Sequence, residues 1–214
     1  MTTAPQFADV HNAFRKWAGE PYSVSTFRHD SQSVGDFNSL DVLCYRSESE
    51  DSLRPEDEFT FLATVGMSCQ RVQILPFQSE LVWRITGRRS WEEVQALSEA
   101  LATVAVLPLY REKVLFVPGK VVRDVTLPVF EKMNSLLVTH WGIHGPEYLP
   151  MAGKAVLLLW LKPLYDAEAL LAERIGESEL SRRFRCEGID WDNPNRVILG
   201  PVAQLGDGGV LNEF

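Results

Sequence analysis

The chain has 214 residues, 45% of them apolar and 23% charged, with a formal net charge of −8. That length and apolar content suffice for one large domain whose core needs no staples. Three cysteines, Cys44, Cys69 and Cys186, are odd in number and far apart, which argues against a disulfide framework or a clustered zinc site. They suit a reducing cytoplasm and say nothing of a redox role. Residues 1–60 carry 11 acids against 5 Lys/Arg and the rest 18 against 16, so the excess is −6 and −2 in turn. Such an exterior repels nucleic acid and steers basic partners. Its plainest use is solubility. The start lacks the basic-then-apolar pattern of a leader, and the longest apolar run, Ala155–Leu161, is too short to cross a bilayer. A soluble cytoplasmic chain without membrane contact is the expectation.

In chain order, Phe7, Val10, Phe14 and Trp17 make an amphipathic helix that Gly19 and Pro21 end. Extended pieces follow at Ser23–Arg28 and Leu40–Tyr45. The stretch ESEDSLRPEDE, Glu48–Glu58, holds six acids, one arginine and no apolar face, as a solvated loop does. FTFLATVGMS reads as a strand entering a glycine turn, and ELVWRITG as another strand. Ser90 and Glu93 form a capping box, and Trp91, Val94, Leu97, Leu101 and Val104 a single stripe, so a helix should run to about Val106, ahead of Leu107-Pro108. A turn is expected at Pro118-Gly119 between extended segments. Val129–Trp141 is ambiguous, with SLLVTHW favouring strand. AVLLLWLKPL is a strand covered on both faces. Asp166 can cap a helix reaching Arg174, with Gly176 just beyond it. A short helix at Ser178–Phe184 follows, then a loose tail at 201–214. The sum is an α+β or mixed α/β fold, a mixed sheet flanked by helices in one domain spanning 1–214, its core about 20–200.

The sharpest chemical candidate is HWGIHGPEYLP, with His140, His144 and Glu147. Two histidines at i, i+4 chelate a metal from one helix face, but Gly142, Gly145 and Pro146 disfavour that helix. In extended chain the pair is about 13 Å apart. The structural reading is a strand end, a Gly-Pro turn and an anchor at Tyr148-Leu149. A binding patch at Trp141 and Tyr148 is one alternative, and a cryptic hydrolase-like site of His140, His144 and Glu147 is another. VGMSC resembles a nucleophile elbow, but Gln70 replaces its second glycine, so Ser68 reads as a turn former. The arginine clusters 84/88/89 and 182/183/185 read as partners for acids before phosphate ligands. No catalytic set, metal site or cofactor site is expected.

Several short stretches, in order, resemble the suppressor of fused domain family: TVGMS, ELVW, the capped helix opening at Trp91, PGKVV, EYLP, VLLLWLKPLYDAEA, ELSRRF and GIDWDNPNR. They span roughly residues 20–200. The resemblance implies an α/β fold that binds another protein and does no catalysis. At this length it is similar to the stand-alone bacterial members, proposed to be immunity proteins against toxins. An adaptor in secretion or signalling is the runner-up. Glu48, Glu50, Asp51, Glu56, Asp57 and Glu58, with Trp141 and Tyr148, are then the candidate contacts for a partner such as a basic toxin.

Overall fold

A computed structural model describes residues 6–28, 39–46, 58–69, 78–110, 116–140, 146–151 and 154–200. The amphipathic stripe at the start folds as α1 (Phe7–Ala18), burying Val10, Ala13 and Phe14. Gly19, at φ 83°, ends it. Four strands follow as an antiparallel meander: β1 (Ser23–Arg28), β2 (Ser39–Arg46), β3 (Phe59–Val65) and β4 (Ser79–Thr86). Helix α2 (Trp91–Tyr110) opens on the expected capping box. Ser90 N donates to Glu93 Oε2 at 2.8 Å, and Glu93 N to Ser90 Oγ at 3.2 Å. It runs past the expected end at Val106, with Pro108 inside it. So near the terminus proline removes one donor from the ladder, and Leu107 packs on the core while Pro108 is buried.

The C-terminal half adds β5 (Val121–Val122), β6 (Ser135–His140), β7 (Tyr148–Met151) and β8 (Lys154–Leu164). The eight strands form one mixed sheet in the order β1-β2-β3-β4-β8-β6-β5, with β7 pairing β8 beyond β6. The segment Tyr148–Met151, expected as an anchor after a turn, is a strand. Its Pro150 is tolerated because β7 pairs on one side only. The continuous apolar run is the central strand, parallel to β4 and antiparallel to β6. Helix α3 (Asp166–Cys186) breaks at Gly176, φ 80°, ψ 167°. The two expected helices therefore meet at that glycine, where a side chain would be strained. Its start is capped by Glu168, whose Oε2 accepts Tyr165 N at 3.1 Å, and not by Asp166.

Alternation along the strands splits the core. One face carries Leu40, Val42, Leu81, Trp83, Leu159 and Leu161 beneath α2. On the other, α1 covers Leu43, Ala63, Val82 and Trp160, and α3 covers Leu137 and Leu164 farther along. Lys162 falls between those two clusters. The acidic stretch 48–57, Trp141, His144 and the tail 201–214 lie outside the described residues.

Candidate partner-binding surface

The β3–β4 turn settles the role of Ser68. Glu80, fully buried, faces it from β4. Its carboxylate accepts Gly66 N and Ser68 N at 3.0 Å, Ser68 Oγ at 2.6 Å and Thr64 Oγ1 at 2.7 Å. Burial raises its pKa against these bonds. Gly66 sits at φ 126°, where an added Cβ would meet Ser39 O at 3.0 Å and the Phe7 ring at 3.1 Å. Ser68, 1% exposed and bound to a carboxylate, is a strut of the turn. A nucleophile would need an accessible hydroxyl beside a base.

At that same end of the sheet, β6 and β7 bring His140 and Glu147 together. Nδ1 lies 3.2 Å from Oε1, and the side chains are 50% and 45% exposed. Sequence spacing missed the third member, Glu177 of α3, whose carboxylate accepts the His140 backbone N–H and is raised by partial burial. Among the described residues no group of three or more His, Cys, Asp and Glu could hold a metal ion. Tyr148 is next to Glu147 and 49% exposed. A half-solvated imidazole–carboxylate pair gains little from Coulomb attraction. Beside an exposed tyrosine it suits contact with a partner.

The opposite end holds Glu58 and the other exposed aromatics. Gly87 N donates to Glu58 O at 2.7 Å, so Glu58, just ahead of β3, is held against the end of β4. The Arg46 guanidinium lies 3.7 Å over the ring of Tyr22, which is 54% exposed, and donates to Arg89 O. Trp91, 53% exposed, opens α2 nearby. Phe59 is level with Thr86, whereas Tyr148 is level with Leu157 and hence with Ser79, seven residues back along β4. At about 3.3 Å per residue that is about 23 Å. Glu58 and Tyr148, grouped by the sequence as one contact set, therefore sit at opposite ends of the sheet.

Four of the clustered arginines are paired with acids. Arg84 Nη1 reaches Asp192 Oδ2 at 2.9 Å, Arg89 reaches Glu93 at 3.5 Å, and Arg182 and Arg183 share Glu179 at 2.7 and 3.1 Å. Sequence reasoning missed what the first of these supports. The segment GIDWDNPNR returns from α3 and is bolted to the sheet. Thr86 N donates to Asp192 O at 3.0 Å, and Thr86 Oγ1 to Asp190 Oδ2 at 2.6 Å. Arg196 makes a buried pair with Glu168 at 2.5 Å and also donates to Pro163 O. Burial pushes the Asp192 carboxyl up to about 7, with Arg84 pulling it down and Asp190 adding to the rise. Burial likewise draws the Lys162 ammonium down to about 8. That ammonium lies 4.8 Å from the Trp160 ring centroid and 4.4 Å from that of Trp191. The one readable sign was a lysine inside the apolar run AVLLLWLKPL. None of the three cysteines is in a disulfide: Cys44 is buried, its thiol pushed up by burial, Cys69 half-buried and Cys186 exposed.

No described helix is long and apolar enough to cross a membrane. A suppressor of fused homolog from Neisseria gonorrhoeae has this fold at 20% identity and a TM-score of 0.64, covering 92% of this chain and 97% of that one. A chain of the crystallised Sufu–Fu complex is 12% identical, TM-score 0.56, covering 90% and 89%. Drosophila Suppressor of Fused is 12% identical, TM-score 0.57, and the match covers 90% of this chain but 49% of the fly protein. No curated protein matches the chain. The family described as suppressor of fused protein matches residues 37–197.

Proposed function

Because this chain belongs to the suppressor of fused family, we propose that it acts by binding another protein without catalysis, as an immunity protein that masks a toxin. The observation that carries the binding half is family membership, together with a structural neighbour crystallised as a Sufu–Fu complex. The toxin half draws support from charge. A net −8, with the larger share in residues 1–60, would speed capture of a basic partner. The surface we assign to this contact is the end of the sheet at Glu58, which Glu48, Glu50, Asp51, Glu56 and Asp57 precede in sequence. Tyr22 and Arg46 there supply the residue types that dominate binding hot spots. Trp141 and Tyr148 form a second, separate candidate, and the protein would work in the cytoplasm.

The test is capture from the source cell, identification of the bound protein, and co-expression. A bound basic protein that stops growth alone and is silenced by this chain at nanomolar affinity supports immunity. Many weakly held clients without toxicity would replace it with an adaptor role. Charge reversal Glu56→Lys/Asp57→Lys/Glu58→Lys should slow association about tenfold or more at low salt, and Tyr148→Ala should leave it unchanged. The reverse result moves the contact to the far end. Among the described residues the His140–Glu147 pair gives the enzyme alternative its only geometric support. His140→Ala abolishing the cellular effect with partner affinity and thermal stability intact would overturn binding alone.

A further inference from the structure

Strands β4 and β8 are adjacent and parallel, and the helices that follow them leave for opposite faces. β4 ends at Thr86 and feeds α2 on one face; β8 ends at Leu164 and feeds α3 on the other. In open α/β sheets this divergence opens a crevice at the carboxyl ends of the strands, where ligands bind. The crevice exists here as a cleft of about 490 Å³, whose walls include Arg89, Val129, Lys132, Tyr165, Asn195 and Arg196. That volume lies within the usual range of small-molecule pockets, about 300–1,000 Å³.

Three observations give the cleft a chemistry. Val129, a β-branched residue, is held at φ 62°, a strained conformation that concentrates at ligand sites. Arg196, with a side chain 2% exposed, has a buried Nε–H without a partner among the described residues, and so does Arg89. Lys132 is exposed and enters no ion pair among the described residues. The cleft is also lined by two acids. Glu93 is spent on the α2 cap and on Arg89, and Glu131 is exposed to solvent. Two helix N-termini, at Trp91 and Asp166, add positive potential at the same place.

We propose that this switch-point cleft binds the oxyanion of a small soluble molecule, a carboxylate or a phosphate, between Arg89, Lys132 and Asn195. Asn195 offers its side-chain amide at the rim. Arg196, locked on Glu168, shapes the floor. The site would exist with or without a protein partner, so it is tested on the purified chain alone.

The experiment titrates ¹⁵N-labelled protein with sodium phosphate and, separately, sodium acetate at constant ionic strength, following the arginine Nε–H and asparagine side-chain resonances. Saturable shifts confined to Arg89, Arg196 and Asn195, weakened about tenfold in Lys132→Ala and in Asn195→Ala, are expected. Both substituted residues are exposed, so those variants should keep the fold. Saturation by phosphate alone assigns a phosphate ligand; saturation by acetate alone assigns a carboxylate. Linear, unsaturated shifts with both anions, or identical titrations in the variants, would overturn the proposal.

Discussion

Two buried carboxylates show two ways of keeping an acid inside this protein. Glu80, at one end of the sheet, is met by neutral donors no more than 16 positions away in sequence, with no cation among them. Glu168, at the other end, is met by the Arg196 guanidinium 28 positions on and by Leu199 N at 2.8 Å. The first arrangement shapes a turn. The second ties the closing segment to the helix it has just left. A network of dipoles depends on the backbone holding still, whereas an ion pair depends on one side chain, and the two should fail differently.

The largest effect should come from Arg196→Met, which strands the Glu168 charge in the core. A loss of about 3–5 kcal/mol in urea denaturation is expected. The double variant Glu168→Met/Arg196→Met should recover much of it, because neither charge then remains buried. Glu80→Gln should cost about 1–3 kcal/mol, since its amide would point a donor at donors. No single second substitution should rescue it, because three of the groups facing it are backbone amides. A rescue there would erase the distinction between the two ends.

Asp192 is an intermediate case, with Oδ2 paired to Arg84 and Oδ1 buried without a partner among the described residues. Its folded pKa, about 7, stands above the ordinary 3.8. Between those values the folded chain holds a proton that the unfolded chain has released, so stability falls as pH rises through that window. Chemical denaturation at pH 4 and pH 7 should show the native chain losing roughly 3 kcal/mol relative to Asp192→Asn. Equal slopes for the two proteins would mean that Arg84 keeps Asp192 ionised throughout. The smallest effect should be that of Ser68→Ala, about 1 kcal/mol by the same measurement, because Glu80 keeps its other donors.

The fold was more legible than the site for a reason these residues make plain. Helix α2 was readable from Ser90, Glu93 and a stripe within 15 positions, and β8 from an unbroken apolar run: both signals are local. The end of α2 was misjudged because a single lost donor at Pro108 weighs less than burial of the last turn. The acids Glu80, Glu168 and Asp192 carry no sign of their burial in sequence, since what tolerates them lies up to 108 positions away. Glu147 was found beside His140 because only a short connection separates their strands. Glu177 was missed because it arrives on a helix from the far side of β8.

The parallel seam between β4 and β8 has a consequence for assembly of the chain. Ser79 pairs with Leu157, so zipping the two strands closes a loop of 78 residues, while the β2–β3 hairpin needs only its own connection. Loop closure grows costlier with separation, and contacts between remote positions form late. The first four strands can thus pair while the remainder is still being synthesised, and the second half then docks along one line. Pulse-labelled exchange during refolding should find the Leu157–Trp160 amides protected after those of Leu62–Thr64. Simultaneous protection would mean that both halves condense around a shared nucleus.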